Sequence, residues 1–245
     1  MLTKRRNLLW GFTLTKGRYL LWGFTLTKGM VIYMKLVDKS MREFSDVLAS
    51  DAPAPGGGSV AALVGSHGAA LIVMVASLTA GRKKYAEHEP LMSDVIERAD
   101  ELRLNFLNLI DRDTEAFNKV SAVFAMPRDT KKQVSERNDA MQIALKACTL
   151  TPFEMIGCAL SALEIAAKMV GKFNTNAASD LGVAVLSLKA AAQGAWLNVL
   201  INLDGIRDEI FAAKYRISGS ELVKKATELA DGIHSGILHG LLSEV

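Results

Sequence analysis

Between Val60 and Gly81 the chain carries no Asp, Glu, Lys or Arg, and Arg82, Lys83 and Lys84 close the stretch. A helix that is apolar on every side has two places to go: the centre of a helical bundle or a lipid bilayer. Composition favours the bundle. Gly65, Ser66, Gly68, Ala69 and Ala70 form a stripe of small residues that a neighbouring helix can approach closely, and no other segment shows comparable apolar length. A single span would also leave the amphipathic remainder of the chain unexplained, so no membrane partner is expected.

That remainder reads as helix. Of the five prolines, Pro53 and Pro55 sit in a loop, while Pro90, Pro127 and Pro152 fall at gaps in the helical periodicity. The ring is tolerated at a first turn, and none is expected inside a helix. The pattern predicts helices near 40–49, 59–80, 90–125, 129–149, 152–170, 178–213 and 219–240. Ser40 with Glu43 and Ser218 with Glu221 have capping-box spacing, and Gly171 ends a periodic run as a C-terminal cap does. Alternating strand patterns are absent, so the expected fold is all-α, an up-and-down antiparallel bundle of about seven helices.

The bundle domain is placed at residues 34–245. Residues 1–33 stand apart: LLWGFTLTKG at Leu8–Gly17 recurs unchanged at Leu20–Gly29, and identical copies that short build no solenoid. This tail is expected to be foreign to the domain or disordered, with translation starting at Met30 or Met34. The alternative is a membrane-surface anchor made of its Trp, Phe and Lys residues. Of the 29 Lys and Arg residues, the tail holds six and no acid, and without them the remaining chain is net −3 against its 26 Asp and Glu. The basic balance therefore belongs to the tail, and no nucleic-acid partner is implied. Cys148 and Cys158 lack zinc or redox spacing, which points to a reducing, cytoplasmic setting. His67, His88, His234 and His239 show no metal-binding arrangement, so no metal is expected.

Three places carry chemistry. The first is Pro53-Ala54-Pro55-Gly56-Gly57-Gly58-Ser59, just ahead of the apolar helix. Glycines there leave amides uncovered and allow positive φ, and the helix points its partial positive end at the same place, which makes a cradle for an anion or carbonyl. Ser59 is then an N-cap or a ligand contact, and the bland alternative is a flexible loop with an ordinary cap. The second is Asp113. Leu102, Phe106, Leu109, Asp113, Phe117, Val120 and Phe124 follow steps of three or four, so this carboxylate falls on an apolar face. Desolvation there raises a carboxyl pKa toward values useful for acid–base work, unless the group is half of an ion pair with a lysine on a neighbouring helix. The third is Asn174, Asn176, Ser179 and Asp180, residue types that otherwise serve turns and caps. Asn198 and Asn202 share a face further along, and Asp180 lies ~27 Å before Asn198 on an ideal helix. One small reaction centre cannot touch both, so they serve two ends of a long ligand or sites completed by a second subunit.

PAPGGGSVAAL, LTAGRKKY, DRDTEAF, NTNAASD and NVLINL, in that order, resemble the cyclodeaminase domain of formiminotransferase-cyclodeaminase and its free-standing relatives, including bacterial methenyltetrahydrofolate cyclohydrolase. The resemblance runs from about Met34 to the C-terminus. It implies an all-α fold, a homodimer, and a tetrahydrofolate ligand, polyglutamylated forms included, held partly by the glycine loop. It also implies a place in histidine degradation. No formiminotransferase domain precedes the motifs, so the formimino substrate is expected from a separate formiminotransferase.

In the cyclodeaminase reaction N10 of the folate attacks the N5-formimino carbon, ammonia leaves, and 5,10-methenyl-tetrahydrofolate results with no cofactor beyond the folate substrate. One group accepts the N10 proton and another protonates the departing nitrogen, each worth ~10²–10⁴-fold. The cyclohydrolase reaction instead adds water to the methenyl carbon. Asp113 and Asp180 are the proton-transfer candidates, with Lys84 as electrostatic partner and Tyr85 as a weaker donor. Pro55, Gly56, Gly57, Gly58, Ser59, Tyr85, Asn174, Asn176, Ser179, Asn198 and Asn202 are the substrate-binding candidates. A non-catalytic folate-binding bundle is the rival from another class.

Overall fold

The computed structural model describes residues 35–243 and, upstream of them, the backbone pairing of four short strands. These are β1 (Leu14–Thr15), β2 (Arg18–Leu21), β3 (Phe24–Thr27) and β4 (Met30–Tyr33). They pair antiparallel in the order β1-β2-β3-β4, with Tyr19 opposite Leu26 and Thr25 opposite Ile32. The tail's side chains, on which its reading as foreign or as an anchor turns, lie outside the described residues.

From Lys35 onward the chain is all-α, as expected, with six long helices. They are α1 (Met41–Leu48), α2 (Gly57–Thr79), α3 (Glu89–Phe124), α4 (Lys131–Met169), α5 (Ala178–Leu203) and α6 (Glu209–Ser243). Consecutive helices pack on one another from α2 to α6, and α2 closes the ring against α5. The small-residue stripe of α2 explains how closely it closes. A Cβ on Gly65 would lie 2.5 Å from the Phe106 ring, and one on Gly68 would lie 2.8 Å from Leu188. Ile72, Phe106, Met155, Leu163, Leu181 and Leu188 are fully buried in the core between these helices. The claim of a single long apolar helix needs correction, because Lys131–Met169 and Thr175–Leu203 are also long and apolar enough to cross a membrane by length and composition. All three contribute extensively to the bundle core.

Local signals account for most boundaries. Ser40 caps α1 in a full capping box, accepting from the Glu43 amide at 3.2 Å while its own amide reaches Glu43 Oε2 at 2.8 Å. Gly171 takes φ +76° after α4 and Gly81 takes φ +71° after α2, the left-handed conformation in which a helix commonly ends.

Two boundaries differ from the sequence reading, and the first of them leaves six helices in place of seven. Pro152 lies inside α4, merging the predicted 129–149 and 152–170 segments. A mid-helix proline removes the hydrogen bond to the carbonyl four residues back, here that of Cys148. Asn202 on α5 supplies the replacement, donating Nδ2–H to the Cys148 carbonyl at 3.0 Å. The other difference is the break between α5 and α6, which falls at Asp204–Asp208 and not after residue 213. Gly205 and Ile206 amides return to Asn202 and Leu203, and Asp208 Oδ1 accepts the Phe211 amide at 3.0 Å. Gln142 and Lys146 of α4 pin this turn, the latter through a 2.6 Å ion pair to Asp208. Ser218 and Glu221 therefore lie inside α6 and cap nothing.

Candidate active site

The glycine loop delivers α2 with an unusual first turn. Gly56 is the N-cap, at φ −128° and ψ −162°, and offers no side chain to the free amides of the helix start. Gly57 and Gly58 are already helical. The expectation that the loop needs positive φ is thus incorrect, since among the described residues the positive-φ glycines are Gly81 and Gly171. The demand for glycine is steric and falls on Gly58. A Cβ there would lie 2.2 Å from Asp113 Oδ1 and 2.6 Å from Oδ2. At Gly57 a Cβ would meet Asn198 Nδ2 at an ordinary 3.6 Å, and at Gly56 it would meet nothing within 4 Å. Ser59 is the third helical residue and not the N-cap, and its buried hydroxyl donates to Asp113 Oδ2 at 3.0 Å.

Asp113 therefore reaches across from α3 to the start of α2, where the partial positive charge of the helix favours an anion. The cradle foreseen for a ligand already holds a carboxylate of the protein. Burial pushes the Asp113 pKa above the usual carboxylate range, opposed by the hydrogen bonds from the Ser59 hydroxyl and backbone. Among the described residues no Lys or Arg forms an ion pair with it, so the lysine partner considered from the sequence is not found. Part of its surface remains open.

Around this carboxyl stand Thr114, Cys148, Asn198 and Asn202. Thr114 Oγ1 lies 3.4 Å from Ser59 Oγ. The Cys148 thiol is pushed up to about 11, mainly by burial and then by Asp113. Asn198 donates to the Gly194 carbonyl at 2.9 Å, and Asn202 to the Asn198 carbonyl at 2.8 Å besides that of Cys148. Thr114 was not among the predicted site residues, although it directly follows Asp113 in DRDTEAF. Its hydroxyl contact is with Ser59 of another helix, which spacing alone does not reveal.

The second group gathers at the opposite end of α2. Asn174 is buried there, its amide donating to Thr79 Oγ1 at 2.9 Å and its Nδ2 to the Leu78 carbonyl at 3.2 Å. Its Oδ1 accepts the Asn176 amide, capping the 3-10 turn Thr175–Ala177 that leads into α5. Tyr85, on the 3-10 segment Lys83–His88, accepts the Thr175 amide at its phenol oxygen, 3.4 Å away, and that bond lowers its pKa. Lys84 Nζ sits 5.3 Å from the Tyr85 ring centroid. Ser179 and Asp180 occupy the first turn of α5 at the same end.

Gly58, against Asp113, and Thr79, against Asn174, lie ~32 Å apart along one helix at 1.5 Å per residue. The structure thus brings Gly56–Ser59, Asp113, Asn198 and Asn202 together. It brings Lys84, Tyr85, Asn174, Asn176, Ser179 and Asp180 together elsewhere, with Lys84 remote from Asp113 within one chain. Pro55, buried just before the N-cap, belongs with the first group. The crevice of about 310 Å³ lined by Leu36, Phe44, Val60, Leu63, Leu107 and Ile110 contains none of these residues.

The model of the formiminotransferase-cyclodeaminase family matches residues 40–219. Methenyltetrahydrofolate cyclohydrolase of Methylorubrum extorquens is 36% identical over 200 residues, covering 82% of this chain and 96% of that protein. Formimidoyltransferase-cyclodeaminase of Rattus norvegicus is 31% identical over 191 residues, 78% of this chain but only 35% of the rat protein. The crystal structure of formiminotetrahydrofolate cyclodeaminase from Thermotoga maritima superposes with a TM-score of 0.70 at 31% identity, over 83% of this chain and 98% of that one.

Proposed function

The chain belongs to the formiminotransferase-cyclodeaminase family, and from that premise we propose that it cyclises 5-formimino-tetrahydrofolate to 5,10-methenyl-tetrahydrofolate with release of ammonia. The observation that carries the reading is the Asp113 carboxyl, partly open, set against the first turn of α2 with its pKa raised by burial. In the reaction the N10 lone pair forms a bond to the formimino carbon and N10 loses its proton. The bond from that carbon to the departing nitrogen then breaks: this nitrogen, which starts as the NH2 of the protonated formimino (amidinium) group, gains one proton and leaves as ammonia, and the positive charge stays on the methenyl product. One proton is taken and one is given, so a single carboxyl whose pKa burial raises can serve both halves in sequence, first as acceptor and then as donor. The carbon keeps its oxidation level throughout, so a redox cofactor has no step to serve and we assign none.

The second group then binds the far end of the folate or supplies the second proton-transfer group, Asp180, with Lys84 as its charge partner. Because ~32 Å of helix separates the groups in one chain, we place the complete site in a homodimer. The exposed face of α5 supports this, with Val183, Leu186, Leu197 and Ile201 open along it. A twofold axis through the middle of α5 sets Asp180 of one copy beside Asn202 of the other. Exposed Arg82, Lys83 and Lys84 suit the extra carboxylates of a polyglutamylated folate. The free thiols of buried Cys148 and Cys158 suit a cytoplasmic setting, and a separate formiminotransferase would supply the substrate.

A second reading is hydrolysis of 5,10-methenyl-tetrahydrofolate on the same scaffold. It is favoured by the Methylorubrum extorquens cyclohydrolase, a relative nearly all of whose length is matched. Purified protein should be given each substrate in turn, with ammonia release measured for the first and loss of methenyl absorbance for the second. Ammonia release above the non-enzymatic rate supports the cyclodeaminase, and absorbance loss alone supports the hydrolase. Activity on neither, with folate still bound, would leave a binding bundle.

A further inference from the structure

We propose that Thr114 is a positioning residue for Asp113, acting through the hydroxyl of Ser59. The inference rests on Asp113 being the proton-transfer group. Ser59 Oγ lies 3.0 Å from Asp113 Oδ2 and 3.4 Å from Thr114 Oγ1. A serine hydroxyl has one hydrogen to give, and an ionised carboxylate can only accept. The Ser59 hydrogen is therefore committed to Asp113, and the hydrogen between the two hydroxyls must come from Thr114. In the ionised form of Asp113 the direction of the chain follows: Thr114 donates to Ser59, and Ser59 donates to Asp113.

Ser59 is fully buried, so solvent does not compete for that hydrogen. On its other side the carboxylate fills the space beside Gly58, which bars it from swinging away. With the Ser59 hydroxyl on Oδ2 and Thr114 behind it, protonation of Asp113 works against a held donor. Thr114 thus holds the charged form by strengthening the donor that faces it.

The charged and titratable surroundings leave this control uncontested. α2 carries no acid, lysine or arginine, and its titratable residue, His67, is exposed more than two turns beyond Ser59; the charged residues of α5, Asp180 and Lys189, precede Asn198 by more than two turns. On α4 the Cys148 thiol is neutral through the neutral range, and Lys119 of α3 acts on that thiol.

The test is a titration of Asp113 by carboxyl ¹³C NMR, its signal identified by its loss in Asp113→Asn, in wild type, Thr114→Val, Thr114→Ser and Ser59→Ala. Losing a donor to the charged form raises a carboxyl pKa. We expect a rise of ~1 unit for Ser59→Ala and about half that for Thr114→Val, with Thr114→Ser at the wild-type value. The acid limb of the kcat/KM profile should move by the same amounts. A Thr114→Val protein whose Asp113 titrates as in wild type overturns the proposal. If that variant does not fold cooperatively, Thr114→Ala is titrated in its place against the same criterion. Wild-type protein inactive on both folates would remove the assigned reaction, while the NMR titration would still decide the role of Thr114.

Discussion

The carboxylate of Asp113 occupies the space in which a side chain on Gly58 would begin, with Oδ1 2.2 Å from the position of the missing Cβ. This contact, between residues on different helices, makes Gly58 the glycine of the loop that tolerates no substitution. Gly58→Ala must displace the carboxylate or shift α2, and overpacking of this kind costs ~1–3 kcal/mol. Gly57→Ala meets only an ordinary 3.6 Å contact with Asn198 and should stay within about 0.5 kcal/mol of wild type. Urea denaturation of both variants beside their turnover checks this. Equal losses in the two would mean that the carboxylate does not govern the loop.

Asp113→Asn keeps the shape and the acceptor for Ser59 while removing the exchangeable proton. It should lower kcat by ~10²-fold or more with the fold intact. The pH dependence gives a second handle. Burial raises the folded-state pKa of Asp113 above its unfolded value, so folding opposes ionisation. Its contribution to stability is then fully present below the unfolded pKa and is lost as pH rises through the folded one. The difference in unfolding free energy between wild type and Asp113→Asn should therefore tilt against wild type as pH rises across that window. Denaturation curves at several pH values measure the difference, and a tilt in the opposite sense would show that the helix start and Ser59 outweigh burial.

Asn202 and Pro152 form another coupled pair. The Asn202 amide satisfies the Cys148 carbonyl that Pro152 leaves without its helical donor. Removing it by Asn202→Ala should cost ~1–3 kcal/mol, the range for stranding a buried acceptor. Pro152→Ala restores a backbone N–H to α4, so the same Asn202→Ala change should cost clearly less in that background. A double-mutant cycle by chemical denaturation reads the coupling. A coupling of zero would free Asn202 for a role in ligand binding alone.

These contacts also mark how far the sequence is legible. Ser40 with Glu43, Gly171 and the small-residue stripe of α2 are local or periodic signals, and the structure uses each as read. Pro152 misleads because its compensation comes from Asn202, 50 residues on in another helix, which no local rule anticipates. The break at Asp204–Asp208 was missed because the apolar periodicity of α5 runs on past the Asp204-Gly205 turn. Asp113 was visible as a carboxylate on an apolar face. Its partners were not, since Ser59 is 54 residues away and α2 itself supplies the compensating field. The glycine run marked the right place for a reason other than the one it implied, steric room in place of positive φ.

The separation of Asp113 from Asp180 makes the assembly itself testable. If each site takes Asp113 from one copy and Asp180 from the other, a dimer of one Asp113→Asn and one Asp180→Asn chain holds one site with both changes and one with neither. Each variant alone should be nearly inactive. Mixed in equal amounts, unfolded and refolded together, they should recover about a quarter of wild-type activity, because half the dimers are mixed and each has one intact site of two. Leu197→Asp, on the exposed apolar face of α5, should shift the protein toward monomer in analytical ultracentrifugation and abolish that recovery. Recovery would not occur if both carboxylates served within one chain, since every chain in the mixture lacks one of them. A mixture that stays inactive while the dimer persists would therefore assign both groups to a single subunit, and would require the ligand itself to span the length of α2.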